Sequence, residues 1–257
     1  MKVKEVIWSQ RAPHLYGNAS AREGGRVMLA WHFLAEDKRL GYDDGRLVEV
    51  GQTLECKGYP VLCDNGMHGS VRLIDALRYA SGPIVCRVEI EGDVIEGDDK
   101  LCGRRRTVLW MLDATRLLHE FACQSAEDAL ALVAQPDERS VEVIAAKRKW
   151  LDGKITYEEL DSAWSAAWSA AQDAAWGERV AASAALAAAR AAAEEAAPAA
   201  RSAALEAAEA AVAVALAAER DAARAVARAV AWDAARDKQN ERLTAMVMEA
   251  HKKESEP

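Results

Sequence analysis

Several things that would announce a class of protein are scarce or missing. Five cysteines, at 56, 63, 86, 102 and 123, are odd in number and confined to the first half of the 257 residues, which excludes a disulfide-stapled scaffold. Fifteen glycines and six prolines are too few for a collagen-like repeat. A secretory signal is missing: Met1-Lys2-Val3-Lys4 runs into a strand-like segment instead of an apolar stretch, so reduced thiols in a cytoplasm are expected. Long hydrophobic runs are missing too. The longest uncharged apolar stretch of the C-terminal half, Ala210 to Ala218, has nine residues, whereas a membrane span takes about 20. There is no excess of positive charge: 33 basic residues face 41 acidic ones, a net charge of −8. An electrostatic footprint for nucleic acid is therefore absent. Arg104-Arg105-Arg106 is too short to supply one and reads as a solvated strand edge or a set of local ion pairs.

What the chain has in abundance is alanine, and only on one side. About half of the residues from Asp161 to Arg236 are alanine, while Met1 to Leu160 is an ordinary mixed sequence. Alanine loses no side-chain freedom in a helix, so this stretch is expected to be helical from Thr156 to about Ala250. Thr156-Tyr157-Glu158-Glu159 is a capping box and marks the start. Trp164 and Trp168 share one face. Leu205, Val212, Leu216, Val226 and Val230 fall on a heptad frame whose other seam positions are Glu209, Glu219 and Ala223, an incomplete coiled coil. Pro198 reads as a kink or as an early residue of a second helix, and Gly177 as a further break. Split at Pro198, the two helices would reach roughly 60 and 80 Å at about 1.5 Å per residue. The expectation is a long arm or hairpin, either packed on its own chain or used for self-association.

The first half reads as α+β. Strands are expected over Lys2–Ser9, Arg26–Leu34, Arg46–Glu55, Ile84–Ile90 and Arg106–Leu112, with a hairpin turn at Asp44-Gly45. Arg11–Gly25 and Lys57–Ser70 read as loops, and Leu73–Tyr79 as a short helix stopped by Ser81-Gly82-Pro83. Ser125-Ala126-Glu127-Asp128 resembles a helix start, and Pro136 opens a helix to about Trp150, broken by Asp152-Gly153. The division is thus 1–122 for a small mixed sheet domain, 123–153 for linking helices and 154–257 for the alanine-rich part.

Candidate chemistry concentrates between Gly66 and Gly92. Cys56, Cys63, His68 and Cys86 are zinc-ligand types, but their spacing fits no metal motif, and no metal is expected. A cysteine nucleophile would have only His68 as its base. Otherwise His68 is a loop histidine holding backbone carbonyls beside Gly66 and Gly69, Tyr79 is a core aromatic under the sheet and Lys100 is a turn lysine.

The string from Cys63 to Leu101, CDNGMHGS…DALRYASGPIVCRVEIEGDVIEGDDKL, resembles a domain of unknown function found in bacteriophage and prophage proteins. So do the later helical segments and the closing motif Asp237 to Met246, DKQNERLTAM; family members often carry alanine where Gly69 stands. The resemblance implies an accessory protein in a bacterial host's cytoplasm that acts by contact with itself or with an unknown host or phage protein. A second resemblance is to ADP-ribosyltransferase-like proteins. Gly66-Met67-His68-Gly69-Ser70, Tyr79 and Val88 to Gly92 follow their motif order, with Trp31-His32 as the strand that meets the nicotinamide. It implies an NAD or nucleotide site with Gly66 and Ser70 as cofactor-binding candidates and His32, His68, Tyr79 and Glu89 as catalytic ones. The acid such families carry on a later strand is missing before Asp113, and Glu89 comes early.

Overall fold

The computed structural model describes residues 26–41, 44–174, 176–189, 196–218 and 224–256. The strand expected over Lys2–Ser9 and the loop after it lie outside these residues. The described part is α+β, with one sheet held between a second, smaller sheet and a layer of helices.

The larger sheet takes β1 (Met28–Leu34), β2 (Thr53–Glu55), β4 (Ile84–Glu91) and β7 (Arg105–Asp113), in the order β1-β4-β7-β2, all antiparallel. β3 (Met67–Gly69), β5 (Ile95–Glu96) and β6 (Leu101–Gly103) form the smaller one, in the order β3-β6-β5. The alternation read in Ile84–Ile90 is the pleat itself: Ile84, Cys86, Val88 and Ile90 pack with Ala30, Leu34, Val108 and Leu101 between the sheets. Trp31, Phe33, Val85 and Leu112 leave the opposite face toward the helices. Full burial of a side chain such as Ile90 stabilises by about 1.5–3 kcal/mol. Two boundaries differ from expectation. Arg46–Glu55 is strand only over β2, because Gly51 turns the chain at φ +80° and Leu47 makes just an isolated bridge with Arg39. The loop expected over Lys57–Ser70 contains β3.

Helix α1 (Leu73–Ala76) runs into a short 3₁₀ turn, Leu77–Tyr79. α2 (Thr115–Leu130) passes straight through Ser125, so no helix starts there. The stripe Leu118, Ala122, Cys123, Ala126 and Ala129 is buried without a break and overrides the capping tendency of serine. α3 (Glu138–Leu151) starts on Asp137, whose side chain accepts from the Arg139 amide, and ends before Gly153 at φ +69°. The capping box at Thr156 opens α4 (Tyr157–Asp173), as expected.

The alanine-rich part divides into α4, α5 (Trp176–Ala188), α6 (Ala196–Ala218) and α7 (Arg224–Ser255). Pro198 sits in the first turn of α6, where its missing amide costs no helical hydrogen bond. α5 and α6 pack on each other and on α2, and α7 on α6. The surfaces that meet are alanine: Ala181, Ala184, Ala185 and Ala188 on α5, and Ala200, Ala203, Ala204 and Ala207 on α6. Trp164 stacks on Trp168 at 5.4 Å and donates from Nε1 to the Leu186 carbonyl at 3.3 Å, tying α4 to α5. The heptad frame does not form a continuous internal seam, since Val212 is buried while Leu205 and Val230 are exposed.

The motif Asp237 to Met246 lies in α7 and works as a clamp. Asn240 Oδ1 accepts from the Ile74 amide at 3.2 Å, capping α1, and Asp237 pairs with Arg72 at 2.8 Å. Gln239 Nε2 donates to the Ala204 carbonyl at 2.8 Å, and Arg242 pairs with Asp128 of α2 at 2.8 Å. Just before the motif, Arg236 reaches the Ile74 carbonyl at 3.2 Å. Near the other end of α7, His251 stacks on Trp110 at 4.0 Å. Among the described residues no helix is long and apolar enough to cross a membrane.

Candidate functional site

The space between the two sheets holds polar groups that a sandwich core does not need. Arg106 of β7 faces Ile90 across the ladder and so points inward, in phase with Val108. It is 2 % exposed. Its Nη1 donates to the His68 carbonyl at 2.8 Å, and its buried Nε has no partner. Burial pushes the guanidinium down to about 10. Asp44 helps to hold the charge from a distance but is already gripped by Arg46, at 2.6 and 2.7 Å. The other two arginines of the run form the expected surface pairs, Arg104 with Asp93 at 3.1 Å and Arg105 with Glu91 at 2.8 Å.

His32 lies opposite Cys86 on the same inner face. Burial holds its pKa well below the usual value, helped by the nearby Arg106 charge and by His68. His68 sits on β3, and both of its ring nitrogens are engaged. The Cys63 amide donates to Nε2 at 3.2 Å, so Nδ1 carries the proton and donates to the Gly66 carbonyl at 3.0 Å. Burial lowers its pKa as well, against the Gly66 bond, which favours the charged form. The Cys86 thiol is pushed up to about 12 by burial. At neutral pH this cluster therefore offers two neutral imidazoles, a protonated thiol and one cation with a spare donor. It is suited to holding an anionic group, and it lacks an ionised nucleophile.

The other candidates lie around this cluster. Gly66 has φ +140°, and a Cβ there would sit 3.2 Å from Cys102 Cβ and 3.3 Å from Pro60 Cβ. Gly69 has no room for a side chain, since a Cβ would meet Ile90 Cδ1 at 2.9 Å and Ala30 Cβ at 3.0 Å. Ser70 is buried and exchanges both backbone bonds with Trp31, at 2.8 and 2.9 Å. Tyr79 is not a core aromatic: it is 48 % exposed, because the 3₁₀ turn carries it out to the surface. Its hydroxyl donates to Asp99 Oδ2 at 2.7 Å, and the Lys100 ammonium lies 4.4 Å from its ring centre. Burial and the Asp99 bond raise its pKa. Lys100 also bears on His68 electrostatically, lowering its pKa further. Glu89 is apart from them: it pairs with Leu29 and Thr107 on the helix-facing side of β4, and the sheet separates it from His32.

Among the described residues no group of three or more His, Cys, Asp or Glu is placed to hold a metal ion. In the sequence Arg106 is masked by its place in a run of three arginines; the signal that sets it apart is its parity with Val108 along an alternating strand.

No curated protein and no solved structure matches the chain. A domain of unknown function (DUF7666) is found at residues 28–120, the stretch that carries every strand among the described residues and the whole Arg106 cluster.

Proposed function

We propose that this is a non-enzymatic accessory protein of a phage or prophage, acting in the cytoplasm of a bacterial host by protein–protein contact. Its own copies are among the partners, and a host or phage protein is the other. One observation carries the reading: the alanine-rich helices leave large apolar side chains facing outward. Leu205 and Val230, both on the heptad frame, are 42 % and 62 % exposed. Apolar positions that internal packing does not use are available to a second chain. The non-enzymatic part is supported by how the candidate groups are engaged. Both His68 nitrogens are bound within its own loop, the Tyr79 hydroxyl is bound to Asp99, and Glu89 lies across the sheet. Neither nucleic acid nor a membrane is needed.

Light scattering at tens of micromolar tests this. The wild type is expected to associate, and Leu205→Glu with Val230→Glu to shift it to the monomer. A strictly monomeric wild type removes self-association.

A second reading, an ADP-ribosyltransferase-like or nucleotide-binding module centred on His68 and Tyr79, is favoured by the unsatisfied Arg106 Nε beside that centre. Calorimetric titration with NAD decides it. Heat that vanishes in Arg106→Met supports the module, and no heat at millimolar NAD removes it.

A further inference from the structure

A cavity of about 440 Å³ opens where β7 passes into α2, beneath the last turn of α3. Asp113, Thr115, Arg116, His119, Trp150 and Leu151 line it. Its volume lies at the small end of ligand pockets, about 300–1,000 Å³. The notable group is His119. It is 1 % exposed, and neither ring nitrogen has a hydrogen-bond partner. Buried polar groups are nearly always satisfied, so an imidazole with both nitrogens open is a reason to look for a ligand.

The surroundings define the ligand. The charges at the rim are already committed. Asp113 accepts from the Thr115 amide at 2.9 Å and from the Thr115 hydroxyl at 2.6 Å. Arg116 donates to the Leu151 carbonyl at 2.7 Å and also binds Asp152. The Trp150 indole forms an aromatic wall, edge-on to the His119 ring at 6.4 Å, with the Lys147 ammonium 4.3 Å from its ring centre. The two charged side chains of the lining, Asp113 and Arg116, thus have their partners within the fold and are not offered to a charged ligand. Burial, reinforced by Lys147, takes His119 down to about 4, so at neutral pH it presents one donor and one acceptor without charge. We propose that this cavity binds a small, flat, uncharged heteroaromatic ring of the nucleobase type, packed against Trp150 and hydrogen-bonded through its edge to His119. The site joins the sheet domain to α3 and is separate from the Arg106 cluster.

The test follows the ¹⁵N resonances of the His119 ring in the full chain, with adenine as the probe. Adenine is expected to shift them saturably in the millimolar range. His119→Phe is expected to weaken adenine binding about tenfold, the value of one hydrogen bond to a buried group. AMP, which adds a dianionic phosphate, is expected to bind no more tightly than adenine. No shift of the His119 resonances up to the solubility limit overturns the site, and this readout stands even if His119→Phe fails to fold. Equal adenine affinity in a folded His119→Phe also overturns it, and tighter binding of AMP overturns the uncharged class.

Discussion

The sheet sandwich and the alanine-rich bundle solve the same packing problem with opposite side chains. Between the sheets, Ile84, Val88, Ile90, Leu101 and Val108 interlock by shape, and a slip of one residue would turn the inner face outward. In the bundle, α5 and α6 meet largely through alanine, whose methyl groups look much alike along a helix. Helix formation there comes from propensity, but shape says little about register. Register comes from the polar side chains of α7: Gln239 on the Ala204 carbonyl, Asn240 on the Ile74 amide, and Arg242 on Asp128. Where apolar shape is uninformative, directional bonds take over its role.

The largest expected effects are losses of stability produced by opposite changes of volume in the two regions. Ile90→Ala removes volume from a core that cannot collapse and should cost about 2–5 kcal/mol. Ala204→Leu adds volume at a close helix contact and should cost about 1–3 kcal/mol through forced separation. Urea unfolding of both variants measures this. If Ala204→Leu unfolds like the wild type, the bundle is loosely packed and the contrast fails.

Acid acts next, and mainly on the alanine-poor side. His119 titrates at about 4 in the fold against 6.5 as a free side chain. Between these values the unfolded chain binds a proton that the native chain refuses, so stability is full above pH 6.5 and falls toward pH 4. The loss is about 3 kcal/mol for a shift of this size. His32 is lowered for the same reason and adds to the loss. In the bundle Glu206 has the opposite sign: burial, then Glu209, raises it. A native acid with a raised pKa takes its proton first, so that contribution grows as pH falls. Unfolding free energies at pH 7 and pH 4 are expected to differ less in His119→Leu than in the wild type. An unchanged difference would sink the assignment.

Local patterns in the sequence carried further than distant ones. The alternation in β4, the capping box at Thr156 and the Gly153 break are written in neighbouring residues, and each is found where expected. β3 and the course of α2 through Ser125 depend on what lies across the core, which no local window contains. The candidate site is legible only in part: the segment from Gly66 to Gly92 does carry His68 and Tyr79, but the groups that define the buried polar cluster and the cavity, Arg106 and His119, lie outside it. Each had a signal of phase: Arg106 matches Val108 in a strand, and His119 matches Ala122, Cys123 and Ala126 on the buried stripe of α2.

The smallest effect goes to the feature that no reading of either segment alone could reveal. Helix α1 has no cap of its own, since Arg72 at its start makes no side-chain capping bond. The acceptor comes instead from Asn240, far along the chain in α7. Asn240→Ala should cost about 1 kcal/mol, the usual value of an N-cap. Asn240→Asp keeps the oxygen, places a negative charge at a helix start and should restore most of that loss. The loss should be local: hydrogen exchange at the Ile74 amide should quicken in Asn240→Ala and recover in Asn240→Asp, while amides of α5 stay protected. If α5 loosens together with Ile74, the clamp sets the register of the whole bundle instead of capping α1 alone. If neither responds, alanine packing holds register without help, and the division of labour between the two regions is wrong.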